Sequence, residues 1–119
     1  MAEEVDGLQW FGVRCHFLHP RYRTRAGQIF EERITVWRAD SFDDAIAKAE
    51  AEAVTYAEDV EAEYLQACSS YRLGVGGFGL DGHEVFSEMR RSDLSPQAYL
   101  DRFFFTGGEN TTDRGVARP

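Results

Sequence analysis

Few residues in this 119-residue chain are of a type that does chemistry. The soft metal ligands are Cys15, His16, His19, Cys68 and His83. A zinc site needs four ligands converging on a tetrahedron, usually as two close-spaced pairs. Cys15 and His16 are neighbours in an alternating stretch, so they point to opposite faces of a strand and do not share an ion. No metal site and no cofactor are expected. No Ser, Thr or Cys stands in a nucleophile context such as GxSxG, and Cys15 falls on an apolar face, where a thiol is inert. Glu32 alternates with Phe30, Ile34 and Val36. A carboxylate buried there would have a raised pKa, as general acids do, and the plainer expectation is that Glu32 lies near the strand end and is either solvated or paired with an arginine.

Two further patterns are weaker. Gly74-Val75-Gly76-Gly77-Phe78-Gly79 matches GxGxxG, but Asp81-Gly82 and a strand follow it where a phosphate-binding loop needs a helix. It reads as a flexible hairpin loop. Arg21, Tyr22, Arg23 and Arg25 interleave charge with an aromatic ring, as phosphate-gripping and base-stacking loops do. The chain as a whole carries a net charge of −8, which argues against a nucleic-acid or membrane-surface binder.

The elements that must position these residues follow from periodicity. Gln9–His19 alternates: Phe11, Val13, Cys15 and Phe17 on one face, Trp10, Gly12, Arg14, His16 and Leu18 on the other. A loop over 19–27 leads to a second strand over 29–39, with Phe30, Glu32, Ile34 and Val36 opposite to Glu31, Arg33, Thr35 and Trp37. Ser41 caps a helix whose first turn holds Asp43 and Asp44. Phe42, Ala45, Ile46, Ala49, Ala53, Tyr56, Ala57 and Val60 form its apolar stripe. A third strand over 64–75, with Leu65, Ala67, Tyr71 and Leu73 facing the core, and a shorter fourth over 83–90 come next. Ser95-Pro96 opens a second helix, with Leu94 positioned to staple onto Tyr99, and Gly107-Gly108 ends it. The order β-β-α-β-β-α predicts a single α+β domain over 8–106: a four-stranded, mostly antiparallel sheet with the long helix packed on one face. Residues 1–7 and 107–119 are expected to be disordered tails.

A hairpin register that pairs Trp10 with Trp37 and His16 with Glu31 would gather Trp10, Arg14, His16, Glu31, Arg33 and Trp37 on the outward face of the sheet. Aromatic rings flanked by arginines mark interaction surfaces, so these six are the binding-face candidates. A second copy of the chain is the expected cover for the two Trp. The acids contribute a second surface: from Ser41 to Glu63 eight of them face Lys48 alone.

Trp10-Phe11, Glu31-Glu32-Arg33-Ile34, Ser41-Phe42-Asp43-Asp44-Ala45-Ile46, Glu84-Val85-Phe86-Ser87 and Ser92-Asp93-Leu94 together resemble a family of small uncharacterised bacterial proteins, a domain of unknown function. The resemblance spans about two-thirds of the chain. It implies the same layout and a bacterial, cytoplasmic setting, and it carries no activity, cofactor or catalytic residue.

Bulk properties agree with a small globular protein. Hydrophobic residues make up 43%, enough for a core at this length, and two cysteines are too few for a disulfide framework, so both are expected as thiols. The N-terminus is acidic with no apolar run behind it, unlike a signal peptide, which again points to the cytoplasm. The reading that results is a non-catalytic protein-interaction module. Its partner is another protein or a second copy, and an immunity- or inhibitor-type binder of a basic partner is its concrete form. The alternative is a small-ligand-binding protein or enzyme, with a pocket between sheet and second helix and with His16, Glu31 or Glu32 as acid–base groups.

Overall fold

The computed structural model of the chain describes residues 8–74, 81–105 and 110–112. Strands β1 (Gln9–Thr24) and β2 (Gly27–Ala39) form a long hairpin, helix α1 (Phe42–Val60) follows, and β3 (Glu63–Gly74) returns beside β1. Strand β4 (Glu84–Ser92), helix α2 (Pro96–Phe103) and the short β5 (Asn110–Thr112) complete the chain. The fold is α+β. Its sheet is antiparallel throughout, in the order β4-β2-β1-β3-β5. β5 pairs with Cys68–Ser70 of β3, so three residues of the stretch expected as a disordered tail extend the sheet to five strands. Residues 1–7 and 113–119 lie outside the described residues, as does all but Gly74 of the GxGxxG run.

The hairpin corrects two expectations. Its loop is shorter than 19–27: β1 continues through Pro20 to Thr24, and only Arg25 and Ala26 separate the strands. Pro20 is accommodated because β3 pairing has ended at Leu18 and the β1–β2 register is irregular between His19 and Thr24. Gly27 is required at the tip: its φ is +124°, and a Cβ there would lie 2.2 Å from the Ser92 carbonyl oxygen. The register also differs by one residue from the expected one. Trp10 pairs with Arg38, Phe11 with Trp37, and His16 with Glu32. A one-residue shift exchanges the faces of a strand. Trp10, Arg14 and His16 therefore lie on one face of the sheet, and Glu31, Arg33 and Trp37 on the other.

Each face receives a helix. Ser41 caps α1, its Oγ accepting from the Asp44 amide at 3.0 Å. The helix ends at Glu61 in the left-handed region, where the chain reverses into β3. The alanines of α1 let it lie close on Phe11, Val13, Cys15 and Phe17, with Phe42 and Tyr56 packed edge-on against Phe11 and Phe17. On the opposite face Tyr99, Leu100 and Phe104, from α2 and its cap, close over Leu18, Phe30, Leu65 and Ala67. Phe30 and Tyr99 stack with centroids 3.9 Å apart. Helix α2 has only eight residues and leaves part of its face uncovered. Of the four β3 residues expected in the core, Leu65 and Ala67 are buried under it, whereas Tyr71 and Leu73 remain exposed.

Ala53 sits at the centre of the α1 contact and is 1% exposed. Replacing it with Leu overpacks this close helix–sheet layer and should cost about 1–3 kcal/mol, read as a lower urea midpoint. An unchanged midpoint would contradict the packing described.

Candidate functional site

The most densely bonded polar group lies under α1. Alternation along β2 turns Glu31 inward, where it is 1% exposed. His19 Nε2 lies 2.7 Å from its Oε1, Tyr56 OH donates to Oε2 at 2.7 Å, and Ser87 Oγ donates to Oε2 at 2.8 Å. Burial, and then the carboxylate itself, push the Tyr56 phenol up, so it stays neutral and donates. Two residues along β2, Arg33 makes a bidentate pair with Glu52 of α1 at 2.7 and 2.8 Å. Its Nε donates to Glu84 of β4 at 2.6 Å, and its guanidinium lies 3.8 Å from the centroid of the Tyr56 ring. Burial opposes the Arg33 charge, but the two carboxylates outweigh it and raise the pKa.

A Glu–His pair is the equipment of acid–base catalysis, yet here both partners are sealed below the helix and bonded to the fold. Sequence reasoning missed His19 and Ser87 as its partners. The signal for His19 was present: it continues the Phe11, Val13, Cys15, Phe17 series, and the following Pro20 masked it. Ser87 could not be found without the β2–β4 register.

The other candidates separate. His16 and Glu32 are cross-strand neighbours on the α2 face, away from Glu31. Of its two alternatives Glu32 takes the paired one, with Arg14 Nη1 at 3.4 Å. His16 is fully buried, edge-on to Phe104 at 4.6 Å, and neither ring nitrogen has a hydrogen-bond partner among the described residues. Burial, with Arg14 and Arg90 nearby, lowers its pKa to about 3, so the imidazole is neutral. Trp10 is buried and Trp37 is half-buried, its Nε1 donating to Thr35 Oγ1 at 2.7 Å and its ring against Gly82. The two Trp therefore do not make a shared exposed patch. In the hairpin tip Arg21 pairs with Glu61 at 2.9 Å and leans on the Tyr22 ring.

Cys15 and Cys68 are directly opposed on β1 and β3 and are both free thiols. The Tyr64 oxygen lies 3.1 Å from Cys68 Sγ and donates to Glu50 at 2.6 Å. The neighbouring Cys15 thiol and burial push the Cys68 thiol up, which keeps it protonated and unreactive. Beside this group an open cleft of about 630 Å³ runs between α1 and β3, lined by Glu50, Ala51, Val54, Glu58, Tyr64 and Gln66.

The exposed apolar groups concentrate elsewhere. Strand β4 is an outer strand of the sheet, bonded on one side to β2. Val85, Phe86 and Met89 are 52%, 44% and 52% exposed. A bulge falls at Val85, since Glu84 pairs with Thr35 and Phe86 with Ile34. From Phe86 to Ser92 the strand is regular, with Met89 on the α1 face and Phe86 on the other.

No protein-family model, curated protein or solved structure matches this chain. Among the described residues no helix is long and apolar enough to cross a membrane, and no three or more His, Cys, Asp or Glu side chains are grouped to hold a metal ion.

Two outcomes follow from this geometry. Glu31→Ala leaves several buried donors unpaired and should cost about 3–5 kcal/mol in urea unfolding; a loss under 1 kcal/mol would mean that the cluster is not a tie. His16 makes stability depend on acid. Its folded pKa lies below the unfolded value of 6.5, so the unfolded chain binds the proton first as pH falls. Stability should drop by at most about 1.4 kcal/mol per pH unit on this account between about pH 6.5 and 3, and be unaffected above that. The His16→Phe variant should lose this component of the acid slope, measured by urea titration from pH 7 to 4.

Proposed function

We propose that this protein is a non-catalytic protein-interaction module whose contact is the β4 edge. The observation that carries the reading is the combination of an outer strand and three half-exposed apolar side chains, Val85, Phe86 and Met89. An edge strand presents a row of unpaired amides and carbonyls, and natural proteins keep apolar side chains off it unless it is used. Partners add a strand to such an edge, with main-chain bonds giving affinity and side chains giving specificity. The hydrogen bonds that His19, Tyr56 and Ser87 all direct to the buried Glu31 carboxylate support a structural role for that cluster over a catalytic one. The net charge of −8, concentrated on α1 and its flanks, suits a basic partner reached by electrostatic steering, as in immunity- or inhibitor-type binders. The bacterial, cytoplasmic setting implied by the family resemblance is compatible with that role.

A second reading has its own observation. The cleft beside α1 pairs an apolar floor with Glu50, Glu58 and the Tyr64 hydroxyl, and it suits a small ligand that is apolar at one end and basic at the other.

Matched affinity capture discriminates between them. Wild type and a Val85→Lys, Met89→Lys variant of equal stability are used as baits, and a tagged second copy is included as prey. The edge reading expects the bound protein, foreign or self, to be lost from the variant. A protein retained equally by both baits would overturn it, and a metabolite retained by both would favour the cleft.

A further inference from the structure

The β4 strand is complementary to itself in one register. A two-fold axis perpendicular to the sheet places two β4 strands antiparallel and keeps each side chain on its own face, so the axis must pass through a residue that faces its own copy. The bulge at Val85 leaves Phe86–Ser92 as the regular stretch, so the centre lies within it. Centring on Glu88 sets two carboxylates against each other, and centring on Arg90 or Arg91 sets two guanidiniums against each other. Centring on Ser87 places bulged Val85 opposite Met89 and pairs Phe86 with Glu88. Centring on Met89 does neither. Met89 then meets Met89 of the second copy, Glu88 faces Arg90 on both sides of the axis, and Phe86 faces Ser92.

We propose that the occupant of the β4 edge is a second copy of this chain, joined through antiparallel β4 strands with Met89 on the two-fold axis. The inference rests on the edge reading above and names its partner. The side chains are already placed for it. Met89 is half-exposed on the α1 face, where two thioethers on the axis remove each other from water. Arg90 is held by its Nη1, which donates to Tyr99 OH at 2.7 Å, while its Nη2 sits 3.4 Å from Glu88 of its own strand. Glu88 is 48% exposed, so an arginine from the second copy can reach it. Glu88 and Arg90 of the two strands alternate across the axis, and each Glu88 gains a second basic neighbour without moving its own. The two five-stranded sheets become one continuous sheet with β4 beside β4.

The test uses sedimentation and site-specific crosslinking of the full chain. Wild type should sediment as a dimer at micromolar concentration. Met89→Cys should form an intermolecular disulfide rapidly in air, because directly opposed residues of antiparallel strands lie about 4.5–5.5 Å apart at Cα, within disulfide range. Val85→Cys should not, since its two copies stand about 26 Å apart in this register. Cys15 and Cys68 are buried and do not compete. Glu88→Arg should weaken the dimer about tenfold or more by opposing like charges twice, and Glu88→Arg with Arg90→Glu should restore it. Because Arg90→Glu also gives up the Tyr99 bond, circular dichroism accompanies that pair, and the Met89→Cys crosslink decides the matter if the pair fails to fold. A wild-type monomer at millimolar concentration overturns the inference, and β4-dependent capture of a foreign protein would then leave the edge reading intact. A dimer that Met89→Cys does not crosslink overturns the inference, since the copies would then be joined in another register or through another surface, while the edge reading is decided separately by whether capture depends on β4.

Discussion

One carboxylate ties the sheet to its helix. Glu31 stands on β2, takes His19 from β1, Tyr56 from α1 and Ser87 from β4, and is sealed from water while it does so. A buried charge is costly unless every lone pair is used, and that cost fixes the arrangement. The α1 register cannot slide along the strands without pulling Tyr56 off Glu31 and Glu52 off Arg33. The β4 register cannot slip without removing Ser87 and Glu84. Apolar packing alone would not hold either so firmly, because the alanine stripe of α1 is smooth. Polar ties supply the specificity and alanines supply the close approach.

The two faces of the sheet are built on different principles. Under α1 the layer mixes small residues with bonded polar groups. Under α2 it is aromatic, with Phe30, Tyr99 and Phe104 around a neutral His16. His16 contributes a flat ring of the right size, and the apolar surroundings hold it uncharged. That face is also the incomplete one. The ring of Tyr71 lies on Gly12, where any Cβ would come within 2.7 Å of it, so beyond α2 an exposed tyrosine covers the buried backbone of β1.

Strand and helix positions were legible because period-two and helical patterns are local, and the Ser41 and Ser95 caps are where the side chains announce them. The pairing was not legible. A one-residue error in an inferred hairpin loop reverses one strand relative to its neighbour, and the loop length was misjudged because Pro20 reads as a break. That single shift divided Trp10, Arg14 and His16 from Glu31, Arg33 and Trp37. The Glu31 cluster stayed hidden for the same reason: each member lies on a different element, and no spacing in the chain encodes their meeting. Exposure of Tyr71 and Leu73 depends on how far an eight-residue helix reaches across a sheet, which alternation does not report.

The two borders of the sheet are unlike. On the β3 side, β5 occupies the backbone of Cys68–Ser70, and below it Gln66 is wound into the left-handed region at φ 59°, which throws the strand out of the flat ladder. Gln66 is not a glycine, so this conformation is maintained against its own preference. On the β4 side the backbone runs straight from Phe86 to Ser92. A sheet with two straight borders can add copies without limit and grow into a fibre. Here the far border is short and bent, three residues of β5 beside a β3 turned aside at Gln66, so once β4 is used no second straight border remains among the described residues from which growth could continue.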